Sequence, residues 1–333
     1  MPIIVAYVHA YVPDHNAGAE TTMHDLLKYL VTQGWEAHVV IKPRTTIVSQ
    51  ISSNEKKPEY YIDGVHVIPS YDKRPFIHYM DRADVTISHL ECSQRTHLYS
   101  KQRKIPTVHL VHNTHPLTVR WMYDADALII NTEWISKEPD FKKANKPTMI
   151  LNPPVNPAEY KTTKGKSITL VNLWEDKGAK VFYELADRFP ELPFLGVREG
   201  YGVQVEEDRA NVTIMEHTKD MKKVYGETKV ILMPSKYESF GRVGVEALAS
   251  GIPTLAEPTP GLLESLGDAG TFADRNDTDA WETALRDLLK PAKYGKMSKL
   301  AKARSEVLDK ERSIQLMTVG LFLGELLRIR KAR

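Results

Sequence analysis

The chain has 333 residues, 42% of them apolar and 26% charged, which suits two globular domains with sizeable cores and excludes a disordered chain. Lys and Arg total 45 against 43 Asp and Glu, so the net charge of +2 supplies no global field toward nucleic acid or anionic lipid. Cys92 is the only cysteine, which excludes an intrachain disulfide and a thiolate zinc site and points to a reducing, cytoplasmic compartment.

In chain order, residues 3–9 are apolar, carry His9 and lack a basic leader, so they read as a first strand and not a signal peptide. Met23, Leu26, Leu27, Leu30 and Val31 then keep helical period, and Gly34 closes that helix. Short β-branched runs at 37–41, 65–69, 85–88, 107–112, 127–131 and 148–151 predict further strands with helices between them. Such strands, buried on both faces, predict a parallel, doubly wound sheet. Asn152-Pro-Pro-Val-Asn-Pro is the best linker in the chain. The pattern restarts beyond it, with strands at 167–171, 194–197, 212–215, 230–233 and 253–256 and a helix over 181–189. Near the end, Val319, Phe322, Leu323 and Leu326 mark an amphipathic helix that is too charged to span a membrane. Arg328, Arg330, Lys331 and Arg333 crowd its terminus and complement the helix dipole; a peripheral membrane contact is the alternative. The expected domains are 1–152, 153–312 and a helix with a basic tail over 313–333 that packs back on the first domain.

The stretch from Met233 to Pro253 carries the most chemistry. A strand ends at Pro234, a loop follows, and a helix is expected from Val243 to Gly251. A strand–loop–helix unit aims backbone N–H groups and a helix dipole at its loop, where a diphosphate binds well. Glu238 and Glu246, eight apart, can accept hydroxyls from a sugar and from a ribose respectively. Such a pair means little alone; its surroundings, Ser239-Phe240-Gly241 and Glu246-Ala-Leu-Ala-Ser-Gly-Ile-Pro253, carry the signal.

These residues resemble the large retaining glycosyltransferase family four, whose donor motif is Glu, seven residues, Glu. Glu238, Phe240, Gly241, Glu246, Ala247, Gly251 and Pro253 match it, and Gly261-Leu-Leu-Glu264 is similar to the next block. The resemblance implies a GT-B fold: two doubly wound, Rossmann-like domains facing a cleft. Gly18-Ala19-Glu20 matches the glycine loop after the first strand, which admits the donor phosphates. Lys177-Gly178 matches the lysine that binds the diphosphate, while the arginine usual five or six residues earlier is replaced by Asn172 or Val171. Lys177, Arg198 and Arg242 are the cations expected to compensate. His112 matches a histidine placed beside the donor sugar.

The implied reaction is transfer of a hexose or related sugar from a UDP- or GDP-sugar, with retention and without a metal. Lys177 and the amides of Ser239, Phe240, Gly241, Arg242 and Val243 are expected to hold the diphosphate, Glu246 the ribose and Glu238 the sugar. Residues 197–202 with Arg198, and Glu216 with His217, are expected to flank the base. No cofactor is expected beyond the nucleotide sugar as co-substrate. His109, His112 and His115 do not form a metal cluster, because strand neighbours three apart point to opposite faces. Asp124-Ala-Asp126 is expected to be structural. The acceptor and the oligomeric state stay open: a glycan, a lipid-linked group, a small molecule or a modified nucleic acid. The polar stretch 44–57 and a patch of Lys56, Lys57, Lys101, Arg103 and Lys104 are candidate contacts for it. Two rivals are a nucleotide-sugar epimerase of the same fold and a binding protein that has lost turnover.

Overall fold

The computed structural model describes residues 1–43, 57–198 and 202–331, with side chains up to Arg328. Most of the polar stretch 44–57, Lys56 within it, Gly200-Tyr201, and the side chains of Arg330, Lys331 and Arg333 therefore lie outside the described residues. The chain divides into two compact units, Met1–Pro154 with Ser313–Arg333, and Val155–Arg312.

The first unit runs β1 (Ile3–Val8), α1 (Gly18–Thr32), β2 (Glu36–Ile41), β3 (Tyr60–Ile62), β4 (Val65–Pro69), α2 (Lys73–Arg82) and β5 (Val85–Ser88). It continues with α3 (Ser93–Gln102), β6 (Thr107–Val111), α4 (Pro116–Met122), β7 (Ala127–Ile130), α5 (Glu133–Lys137), α6 (Pro139–Ala144) and β8 (Thr148–Ile150). The strands form one sheet in the order β3-β4-β2-β1-β5-β6-β7-β8. All neighbours are parallel except β3, which pairs antiparallel with β4. Both faces of β1 are covered. Ile4, Ala6 and Val8 pack with Met23, Leu26 and Leu30 of α1, while Val5 and Tyr7 pack with Phe76 and Met80 of α2. That double burial is why these strands read as continuous apolar runs.

The second unit runs α7 (Pro157–Tyr160), β9 (Ser167–Val171), α8 (Ala179–Arg188), β10 (Phe194–Val197), β11 (Val212–Met215), α9 (Met221–Glu227) and β12 (Thr228–Met233). It continues with α10 (Arg242–Leu248), β13 (Thr254–Ala256), α11 (Pro260–Leu266), β14 (Gly270–Phe272), α12 (Thr278–Leu288) and the start of α13 (Pro291–Lys331). Its sheet is wholly parallel, in the order β11-β10-β9-β12-β13-β14.

Three features differ from the sequence expectation. The edge strands β3 and β14, three residues each, were not anticipated. The hairpin β3–β4 turns on Asp63 and Gly64, both at positive φ, and an Asp-Gly pair between apolar runs is the signal that could have revealed it. The terminal amphipathic segment is the last part of a 41-residue helix. Leu316, Val319, Leu323 and Leu326 of that helix join the core of the first unit. No helix among the described residues is long and apolar enough to cross a membrane.

Leu323 is wholly buried in that core. Leu323→Ala is expected to cost roughly 2–5 kcal/mol, read as a lowered midpoint of denaturant unfolding.

Candidate functional site

In the second sheet β9 and β12 are neighbours, yet the chain leads from β9 to one side and from β12 to the other. Such a switch leaves the carboxyl ends of the two strands uncovered, and ligands of open α/β sheets bind there. Asn172, Lys177, Ser235, Glu238 and Val243 line a cavity of about 60 Å³ at this point.

Each wall of the cavity is fixed by local chemistry. Asn172 leaves β9 at φ 71°, a left-handed conformation that Asn tolerates. Its Oδ1 accepts from the Trp174 amide at 3.1 Å and from Gln204 Nε2 at 2.9 Å, which ties down the loop. Residues Glu175–Lys177 form a 3₁₀ turn ended by Gly178 at φ 96°. A Cβ on Gly178 would lie 2.2 Å from Pro234 Cγ, so only glycine lets this turn close on the end of β12. The Lys236 amide, donating to Asp176 O at 2.8 Å, joins the same two loops. Lys177 Nζ then reaches Glu238 Oε1 at 2.5 Å, and Ser235 Oγ donates to the same oxygen at 3.0 Å. Both charged side chains are less than one-fifth exposed, which strengthens the pair relative to a surface one.

Gly241, at φ 83°, caps α10, and a Cβ there would lie 2.3 Å from Leu262 Cδ2. Phe240 is buried among Met233, Val245 and Leu262, and so anchors the loop that carries Glu238 and Ser239. Glu246 sits in the second turn of α10, and it is 5% exposed. Arg242 Nε donates to its Oε1 at 2.7 Å, and the Tyr225 hydroxyl to its Oε2 at 2.7 Å. Arg242 also donates to the Tyr160 hydroxyl at 3.0 Å. Burial, and next the Glu246 carboxylate, push the Tyr225 phenol well above its ordinary range, so it stays a donor.

Not every expected residue joins this group. Arg198 is held by Glu206, at 2.6 and 2.7 Å, and by Glu216, which leaves it engaged at the end of β10. These hydrogen bonds hold its guanidinium above the ordinary range. His217, just beyond β11, is exposed. The sequence reading missed Ser235, Tyr160, Tyr225 and Gln204; Ser235 stands in the quoted motif, whereas nothing in the spacing marks the two tyrosines.

The first unit has its own switch point, between β1 and β5. Gly18 opens α1, and a Cβ there would meet nothing within 4 Å, so packing does not require this glycine. Ala19 follows in the same first turn, which has no side-chain cap from Ala17. His112 is 9% exposed, and its Nε2 lies 2.9 Å from His89 Nδ1. Burial pulls its pKa down to about 3, so it is a neutral imidazole. His109 turns away to His97, at 3.0 Å. Asp126 Oδ2 accepts from the Thr107 amide at 3.0 Å, at the amino end of the sheet, which is a structural use. Of the expected basic patch, Lys57 pairs with Asp14 at 2.7 Å and Arg103 with Asp81.

Residues 203–304, which contain Glu238 and Glu246, match the family described as "Glycosyl transferases group 1". The O-antigen chain mannosyltransferase B of Escherichia coli is 32% identical over 111 residues, 32% of this chain and 23% of that protein. A D-inositol 3-phosphate glycosyltransferase of Corynebacterium kroppenstedtii is 41% identical over 71 residues, 21% of this chain and 16% of that protein. These matches span a quarter or less of the relatives' length. Whole-chain likeness appears in solved structures. Sucrose-phosphate synthase of Thermosynechococcus elongatus superposes with a TM-score of 0.76 at 16% identity, over 97% of this chain and 98% of that one. Anabaena HepE in complex with UDP and glucose superposes at 0.75 with 15% identity, over 98% and 100%. Two Rossmann-like units with this loop between β12 and α10 define the GT-B fold. Residues 203–304 are similar to the group 1 glycosyltransferases, and the whole-chain likeness shows the GT-B fold.

Tyr225→Phe removes the buried donor to Glu246. It is expected to cost roughly 1.5–3 kcal/mol, the range for a hydrogen bond to a charged group, as read by denaturant unfolding.

Proposed function

We propose that the protein transfers a hexose or related sugar from a UDP- or GDP-sugar to an acceptor hydroxyl, with retained anomeric configuration. The observation that carries this reading is the Lys177–Glu238–Ser235 group lining the cavity at the β9/β12 switch, whose Ser235 and Glu238 lie inside the segment that matches the family. In this reading Lys177 and the amides of Ser239, Phe240, Gly241, Arg242 and Val243 hold the diphosphate. Preorganised donors then stabilise the leaving-group charge. Glu238 holds the transferred sugar and Glu246 the ribose; of the first unit, the Gly18-Ala19 loop admits the donor phosphates and His112 serves the donor sugar. His112 acts there as a neutral hydrogen-bonding group, since burial disfavours its cation. That HepE was solved with UDP and glucose, and that the matched relatives are named for sugar transfer, supports a nucleotide sugar as donor.

A second reading rests on a specific observation. The usual arginine is Asn172, and all three cations expected to compensate are bonded to carboxylates, Lys177 to Glu238, Arg198 to Glu206 and Arg242 to Glu246. A protein so short of cations could bind nucleotide sugars without turning them over. Incubation with a panel of nucleotide sugars, with and without acceptors, separates the readings. Diphosphate release with product formation supports transfer, donor conversion without any acceptor supports an epimerase, and binding alone supports the second reading.

Lys177→Ala is expected to weaken nucleoside-diphosphate binding by roughly 1.5–3 kcal/mol by calorimetry. An unchanged dissociation constant would remove Lys177 from the donor site.

The two glutamates should separate. Glu246→Gln should weaken donor and product nucleotide alike, because both contain the ribose. Glu238→Gln should leave product-nucleotide affinity intact or raised, while slowing transfer by about one to two decades. Equal loss of product-nucleotide affinity in both variants would overturn the division of roles.

A further inference from the structure

At the β1/β5 switch of the first unit, His9 follows β1, His15 lies in the loop that leads to α1, and Glu20 occupies the first turn of α1. One ligand atom from each of the three lies within 4.8 Å of those of the other two. His9 Nε2 stands 3.5 Å from Glu20 Oε1, and His15 Nε2 stands 3.9 Å from Glu20 Oε2. Charge-assisted hydrogen bonds between such groups close to about 2.7–2.9 Å. Ligand atoms around a tetrahedral ion with bonds of about 2.0–2.2 Å stand roughly 3.3–3.6 Å apart, a spacing that His9 and Glu20 meet and that His15 and Glu20 exceed by a few tenths of an ångström.

The Glu20 carboxylate supplies an independent observation. Glu20 is 1% exposed, and its Oε2, which faces His15, is buried without a hydrogen-bond partner. Leaving a buried carboxylate oxygen unsatisfied is costly, and a bound cation would satisfy it. The two imidazoles are 28% and 30% exposed, so an ion has a path in from solvent. The proposed sugar transfer gives none of these three groups a task.

We propose that His9, His15 and Glu20 form a site for a zinc-class divalent cation that clips the β1–α1 loop to the first turn of α1. Two imidazoles and one carboxylate favour zinc and its transition-metal neighbours over Mg²⁺, which takes oxygen ligands and keeps several waters. Three protein ligands leave a fourth position for water or an acceptor oxygen. Missing this cluster in the sequence is understandable, because its members are six and five residues apart and converge only through the turn out of β1.

The test is metal binding by the tag-free full chain after chelator treatment and dialysis, a readout that does not depend on the sugar-transfer reading. Titration with Co²⁺ should give the intense visible bands of a four-coordinate ion at one per chain, and Zn²⁺ should displace it. His15→Ala and Glu20→Gln should each weaken Zn²⁺ binding at least about tenfold. His66→Ala, at the histidine pair formed with His38, should leave it unchanged. His15 is partly exposed, so its variant should stay folded, which circular dichroism checks, even where Glu20→Gln does not. Zn²⁺ affinity equal in wild type and His15→Ala, a six-coordinate Co²⁺ spectrum, or equal competition by Mg²⁺ would each overturn the site.

Discussion

The geometry of both candidate sites depends on one constraint, that neighbouring parallel strands send the chain off in opposite directions. β9 and β12 do this in the second sheet, β1 and β5 in the first. A crossover helix cannot cover the carboxyl ends at such a point, so the loops there can present backbone and polar side chains. The cavity at the end of β9 and the histidine–glutamate group at the end of β1 both follow from that geometry.

The two switch points solve the problem of buried charge differently. In the second unit each acid has a donor: Glu238 has Lys177 and Ser235, and Glu246 has Arg242 and Tyr225. Such pairing holds the loops in place, since removing one partner would leave a charge unsatisfied in a low-dielectric setting. In the first unit Glu20 and His9 keep buried atoms without a partner, and burial pushes the Glu20 carboxyl up to about 7. The proposed cation would supply the partner that the Glu20 oxygen lacks.

Most of the fold was legible because strands buried on both faces leave apolar runs, and because the motif around Glu238 is long and ordered. β3 and β14 escaped notice because three residues carry no periodic signal. The length of α13 escaped because Gly295, Gly320 and Gly324 interrupt its pattern, although a Cβ on any of them would meet nothing. At the site, residue types and loop positions could be read, but partners could not. Nothing in the spacing shows that Arg242 bonds Glu246 and Tyr160, or that Arg198 is engaged with Glu206 and Glu216. These contacts join residues up to 82 positions apart, and tertiary packing alone decides them.

The same contacts say how the proposed donor would be received. With Asn172 in place of the usual arginine, Lys177 is the cation lining the cavity, and its ammonium is bound to Glu238. An incoming diphosphate would compete for that ammonium, and Lys177 has three donors to divide between phosphate and carboxylate. Each step of Lys177 toward phosphate leaves Glu238 Oε1 open to a sugar hydroxyl, with Ser235 still holding the carboxylate. Diphosphate and sugar would then be recognised together and not one after the other. The hydroxyl that Glu238 accepts makes up for the lysine it gives up, so a nucleotide lacking the sugar leaves the carboxylate underbonded. Discrimination between donor and product nucleotide would follow from one ion pair exchanging partners, with no added residue.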